Sequence, residues 1–160
     1  MRGNLNVYYD SNSKGGIFIL IEVIDAIAAK LTRDFGNSIA VYKEEAEQGL
    51  TAPCFFVSLN NFSQKQITGK RYYREQRFTI KYCPSKVNKN TEICQVADRL
   101  YDTLESVFIE ADMFRGSKMS CEVVEGVLLF YVNYNFYVYK ETQSEEPMEN
   151  IAVEGGLKKE

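Results

Sequence analysis

From Val127 to Lys140, apolar side chains recur at every second position for fourteen residues. Leu128, Phe130, Val132, Tyr134, Phe136 and Val138 fall on one side, and Leu129, Tyr131, Asn133, Asn135, Tyr137 and Tyr139 on the other. Successive side chains of a strand point to opposite faces, so this pattern predicts one long strand with a dry face and a half-wet one. The dry face must be covered by other elements of the chain. The second face, part polar and part aromatic, is left for water or another subunit. A strand of this length reaches past the domain at one end.

The covering elements are legible as two amphipathic helices. In Leu20–Phe35, the residues Leu20, Ile24, Ile27, Ala28, Leu31 and Phe35 recur at three and four, and Gly36-Asn37 ends the run. A second helix is capped by Asn90 or Thr91 and runs to about Ile109. Its apolar stripe is Ile93, Val96, Ala97, Leu100, Leu104, Val107 and Phe108, with Asp98, Arg99, Asp102 and Glu105 outward.

Between the helices lie a short strand, Ser38–Tyr42, a charged connection from Lys43 to Ala52, and a hairpin. The hairpin strands are Cys54–Leu59 and Tyr72–Tyr82, the second alternating Phe78, Ile80 and Tyr82 with Arg77, Thr79 and Lys81. Asn60 to Lys70 is rich in Asn, Ser, Gln and Lys and reads as an exposed connection, mobile in a free subunit. Pro84 closes the second strand because it cannot donate to a ladder. After Arg115-Gly116 turns the chain, Lys118–Val124 and Val127–Lys140 form a closing hairpin around Glu125-Gly126. The expected fold is therefore α+β, a mainly antiparallel sheet with two helices packed on one face, in the order α-β-β-β-α-β-β.

At 160 residues, the chain reads as one domain, residues 20–140, with a segment at each end. Residues 141–160 are acidic with too little apolar content for a core; Met148 and Ile151 are available in that tail as anchors on a partner. Residues 1–19 are polar and rich in Gly, Ser and Asn, and two readings stand for them. One is a flexible arm. In the other, Lys14-Gly15-Gly16 is encoded as AAAGGAGGN, a bacterial ribosome-binding sequence, and translation starts at Leu20 on a UUG codon. A peptide from residues 2–18 in the native protein would remove the second reading.

Composition excludes most chemistry. There is no histidine, so Ser-His-Asp and Cys-His arrangements are ruled out, and no Walker loop, GxGxxG or HExxH occurs. Cys54, Cys83, Cys94 and Cys121 are widely spaced with no CxxC, which argues against zinc and suits a reducing cytoplasm. Cys54 and Cys94 lie on apolar patterns and read as small core residues. Neither an enzyme, a cofactor nor a metal is expected. No apolar run is long enough to cross a bilayer. The net charge of −3 creates no general attraction to nucleic acid or anionic lipid. Eleven tyrosines suit contact surfaces, although β-propensity accounts for them as well. One local exception is Lys70, Arg71, Arg74 and Arg77 beside Tyr72 and Tyr73, the makings of a platform for single-stranded nucleic acid. Against it, the RNP octapeptide is absent and Glu75 interrupts the patch.

Several stretches together carry a family resemblance: IDAIAAKL at 24–31, FG at 35–36, EEAEQGLTAPCFF at 44–56, GKRYYREQRFTIKYCP at 69–84, GVLLFYVNY at 126–134 and PME at 147–149. From about Leu20 to Glu149 the chain resembles the tail terminator (tail completion) proteins of tailed phages and phage tail-like particles, in their Gram-positive prophage branch. The resemblance implies a structural subunit with no catalytic site. Such a subunit forms a sixfold ring that caps the tail tube, ends its polymerisation and offers a surface to the head or collar. The implied partners are itself, the tail tube protein, the sheath and a head-tail connector or collar protein, without a membrane, and with nucleic acid only passing through the ring. The implied location is a virion or tail-like particle assembled in the bacterial cytoplasm. Tyr and Arg anchor interfaces, so the expected interface residues are Arg71, Tyr72, Arg74, Arg77, Tyr131, Tyr137, Tyr139 and Met148. A ring needs two different patches that meet, and the tyrosine face and the Arg71–Arg77 edge are the two halves expected. The alternative is a small α+β binding module for single-stranded nucleic acid.

Overall fold

The computed structural model describes residues 6–10, 15–43, 50–85 and 89–141. Ten elements follow one another: β1 (Asn6–Asp10), α1 (Gly15–Phe35), β2 (Ala40–Tyr42), β3 (Cys54–Thr68), β4 (Arg71–Cys83), α2 (Lys89–Thr103), β5 (Ser106–Ile109), β6 (Asp112–Val124), β7 (Val127–Tyr134) and β8 (Phe136–Glu141). The fold is α+β, two helices with a mostly antiparallel, curled sheet.

β4 is the middle of that sheet. One of its edges pairs antiparallel with β3 from Cys83 to Arg71. Its other edge pairs with β7 over Arg77–Tyr82 and with β8 over Arg71–Arg74. The register passes from Arg77↔Asn133 to Arg74↔Phe136 without a slip, so β7 and β8 are the single long strand expected, interrupted at Asn135. There the Asn135 side-chain oxygen accepts the Gln76 backbone N–H at 3.2 Å, in place of a ladder carbonyl. The outer edge of this strand is shared: β6 pairs antiparallel with β7, and β1 pairs parallel with β8. β5 extends the sheet beyond β6, and β2 runs parallel to the start of β3.

Parity sorts the core. Leu128, Phe130, Val132, Tyr134, Phe136 and Val138 are all buried, as the alternation predicts, and Phe78, Ile80 and Tyr82 lie on the same side from β4. These side chains form one cluster with Val23, Ile27 and Leu31 of α1 and Ile93, Val96 and Leu100 of α2. On α1 the buried stripe begins at Ile19 and Val23, one residue from the expected Leu20 and Ile24, which are half-buried. Gly36, at φ 84°, ends α1 in the left-handed conformation, and its N–H reaches the Thr32 carbonyl at 3.0 Å. Arg99 of α2 donates to the Asp34 carbonyl and lies 4.3 Å over the Phe35 ring, placing a cation at that negative helix end. Lys30 likewise donates to the Ser106 carbonyl, tying α1 to β5.

Five expectations are corrected. The second helix stops at Thr103 rather than Ile109, and Ser106–Ile109 is strand β5, which leaves Phe108 exposed. Leu104, Val107 and Phe108 fit a helical stripe, but Val107 and Ile109 fit a two-residue alternation equally, and pairing with β6 decides. Asn60–Thr68 belongs to β3, closed by a tight turn at Gly69-Lys70; its side chains are wet on both faces, so no alternation marks it. Arg115-Gly116 lies inside β6. Gly116 is required there because a Cβ would press on the Leu104 carbonyl oxygen and the Met119 methyl group. Cys94 is exposed, unlike Cys54. Within residues 1–19, Asn6–Asp10 forms β1 and α1 begins at Gly15, so the element order has strands before the first helix and after the second that the alternation did not reveal. The tail from residue 142 lies outside the described residues.

Two measurements check this packing. Phe130 is fully buried between Ile80 and Cys121 as cross-strand neighbours, its ring 4.9 Å from that of Tyr101. Phe130→Ala is expected to cost about 3–5 kcal/mol in denaturant unfolding; a loss under about 1 kcal/mol would mean the faces are reversed. The second concerns Glu92, which accepts hydrogen bonds from the Tyr82 hydroxyl, the Ser85 N–H at 2.9 Å and the Ser85 hydroxyl at 2.6 Å. Burial pushes its carboxyl up, but the hydrogen bonds together outweigh this and hold it below its ordinary value of 4.5. A carboxylate depressed in the folded state stabilises above its unfolded pKa, and that contribution is lost as pH falls through the folded pKa. Glu92→Gln should therefore be less stable than the natural chain at neutral pH, the gap closing as pH falls below the ordinary carboxyl value of 4.5. A gap that stays constant with pH would refute the assignment.

Candidate assembly surface

The face of the sheet opposite the core is built from odd-numbered residues of β4, β7 and β8. The register sets Arg71 opposite Tyr139, Tyr73 opposite Tyr137, Arg77 opposite Asn133 and Thr79 opposite Tyr131. The Arg71 guanidinium sits 3.9 Å over the Tyr137 ring and 5.8 Å from that of Tyr139, and Tyr73 and Tyr137 pack with centroids 4.9 Å apart. Arg77 lies 4.7 Å over Tyr131, whose hydroxyl donates to Glu122 at 2.6 Å. That hydrogen bond raises the Tyr131 phenol, with partial burial adding to it. Farther along the same face, Lys81 is 5.7 Å over Phe56, which stacks on Tyr42 at 5.3 Å. The result is a ladder of cations and rings across five strands, each cation–ring contact worth about 0.5–1 kcal/mol where exposed.

Five of the expected interface residues thus form one patch: Arg71, Arg77, Tyr131, Tyr137 and Tyr139. The two halves expected to meet across a ring contact are instead neighbours within one subunit, because they share parity on paired strands. Tyr72 and Arg74 fall on the other side, beyond the helices. Lys140 lies 4.3 Å over the Tyr72 ring. Arg74 is nearly buried, donating through Nε to Gln64 at 2.9 Å and lying 5.9 Å over Phe62. Met148 lies outside the described residues. The nucleic-acid platform is also altered: Tyr72, Tyr131 and Tyr137 each carry a cation over one ring face, where a stacked base would need open access.

Two dimples interrupt this outer face. One, of about 200 Å3, is lined by Asn61, Ser63, Glu75, Arg77, Lys118 and Asn133, with the Lys118 ammonium 4.0 Å from Glu75. The buried Asn133 Oδ1 has no hydrogen-bond partner. The other, of about 330 Å3, lies between Phe56, Lys81, Val124 and Leu129. A larger groove of about 580 Å3 lies on the helix side, between Phe35, Ile39, Val96 and Arg99. None holds a nucleophile beside a base, and among the described residues no three of His, Cys, Asp and Glu gather to hold a metal. The surfaces present contact chemistry: planar cations, tyrosines and shallow relief.

Sequence reasoning missed further apolar side chains on the surface. Phe108 and Met113 are cross-strand partners near the β5–β6 turn, both exposed. Leu59, Phe62 and Ile67 are exposed along β3. Their signal was available as apolar residues spaced through a polar run, but nothing marked that run as strand.

No curated protein matches the sequence. Among solved structures, the fold is similar to the sheath/tube terminator, in its extended state, of an extracellular contractile injection system named PVC. The TM-score is 0.50 at 14% identity, with 88% of this chain and 64% of that chain covered. At that identity the likeness is one of fold, and this chain spans less than two thirds of its counterpart. A family model described as phage tail terminator protein matches residues 22–146, from the first turns of α1 past the end of β8. With most of the chain inside that match, the protein belongs to the phage tail terminator family.

Proposed function

We propose that this protein is the structural subunit that caps the tail tube of a phage or phage tail-like particle. In this reading it assembles as a sixfold ring on the tube end, stops tube polymerisation, and offers its free surface to the head, connector or collar. The tube protein is one partner and, in a contractile particle, the sheath another. Nucleic acid only passes through the ring, and no membrane contact or catalytic step is involved. The subunit is made in the bacterial cytoplasm and resides in the finished particle.

The family match over residues 22–146 carries the reading, since it takes in most of α1, all of α2 and every strand but β1. The surface chemistry supports it. Both helices are read as covering one face, for their buried side chains join a single cluster with the inner face of the sheet. That leaves the cation–tyrosine ladder of Arg71, Arg77, Tyr131, Tyr137 and Tyr139 for a neighbouring subunit or the tube, and Arg and Tyr are residue types that anchor interfaces. Tyr72 and Arg74 are assigned to a second contact on the far half of the sheet, and Met148, outside the described residues, to an anchor on a partner. Such contacts are individually weak, so the free subunit can be a monomer that closes into a ring only on a tube template.

Deletion of the gene in the producing strain tests the reading. Tubes of uncontrolled length, or tails that fail to join heads, are expected in electron micrographs. Unchanged length distributions and particle yield would contradict it.

A further inference from the structure

Among the described residues, the β3–β4 hairpin has one edge without a partner strand over most of its length. β4 is paired along both sides, but β3 is paired on its outer side only where β2 meets Cys54, Phe55 and Phe56. From Val57 to Thr68 that backbone edge has no partner strand among the described residues, and Leu59, Phe62 and Ile67 are exposed along it. A long, partly apolar, unpaired edge is a template for another strand, and such edges are usually shortened, charged or covered. The bulges at Leu59/Asn61 and Gln66/Thr68 twist it without closing it.

Charge points to what covers it. Between Val57 and Cys83 the hairpin carries Lys65, Lys70, Arg71, Arg74, Arg77 and Lys81 against the single carboxylate Glu75, in a chain whose net charge is −3. Residues 142–157 have the opposite character: Glu145, Glu146, Glu149 and Glu154, with no lysine or arginine, interleaved with Met148, Ile151 and Val153. The fold also fixes where this segment departs, at the tip of its own hairpin. β8 ends at Glu141, and the Lys140 N–H is bonded to the Lys70 carbonyl at 3.0 Å, so the chain leaves β8 beside the Gly69-Lys70 turn at the hairpin tip. Nineteen residues remain beyond that point, an extended reach of roughly 60 Å.

We propose that residues 142–160 of one copy lie along the open β3 edge of the next copy, clipping neighbours together in the ring. Backbone pairing supplies the attachment, as in other strand additions to a sheet edge. The glutamates face Lys65 and Lys70, and the apolar residues of the tail cover Leu59 and Phe62. This inference rests on the ring reading above and adds the contact that closes it. The clip also explains why a subunit that must not polymerise before it meets a tube can carry so long an open edge: a neighbour's tail is held near that edge only when copies are already side by side.

Photocrosslinking in assembled particles tests this. A benzoylphenylalanine replaces Phe62, or in a second variant Ile67, in the full chain; both positions are exposed, so the fold tolerates either. Particles are produced from a mixture of isotopically light and heavy copies, and the presence of the chain in purified particles is read first. The expected product is a crosslink from position 62 or 67 to a peptide within 142–160, with light-heavy pairs. The double charge reversal Lys65→Glu with Lys70→Glu should lower its yield about fivefold, and Glu145→Lys with Glu146→Lys should restore it. Particles that contain the chain but give no tail crosslink, or only crosslinks within one copy, overturn the clip and leave the terminator reading standing. Absence of the chain from particles overturns both.

Discussion

Everything in this molecule is referred to the pairing of β4 with the long β7–β8 strand. That register, unbroken from Tyr82↔Leu128 to Arg71↔Tyr139, decides which face each residue of both strands occupies. A slip of one residue would exchange the buried set for the cation–tyrosine set along the full length. The inner parity assembles Phe78, Ile80, Tyr82 and six residues of the long strand into the cluster that the helices enter. The outer parity assembles Arg71, Arg77 and three tyrosines into one ladder of cations and rings. Core and surface are two consequences of one set of backbone hydrogen bonds.

The parts of the fold that follow from side-chain periodicity were legible in the sequence. The faces of Val127–Lys140 were readable residue by residue because alternation over that length has no competing interpretation. The stripe of α1 was readable to within one residue, and its end at Gly36 to the residue. What was not legible depends on tertiary partners. β5 borrows its strand character from β6, and its residues had joined a helical stripe. The far half of β3 is wet on both faces and is held by its backbone to β4, so its composition resembled a loop. Gly116 resembled a turn because the close approach of the Leu104 carbonyl cannot be seen in one dimension.

The candidate surface was half legible for the same reason. Arginines and tyrosines were singled out in the sequence, yet Arg71 and Arg77 were separated from Tyr131, Tyr137 and Tyr139 because sequence distance hid their shared face. Tyr72 and Arg74 were grouped with them by proximity along the chain, although parity sends them to the opposite side. The large difference in charge between hairpin and tail was visible from composition alone. Only the topology shows that β8 ends beside the hairpin tip and that, among the described residues, the adjoining edge has no partner strand from Val57 to Thr68.

The central claim is positional: this chain sits at one end of a tail tube and nowhere else. The most direct measurement is to attach a small tag for gold labelling at the β5–β6 turn, Glu110-Ala111, which is exposed, and to image purified particles by electron microscopy. The account predicts a single cluster of gold per particle, confined to one end of the tube. Labels spaced along the tube, or particles without label when the tagged chain is present in the cell, would contradict it.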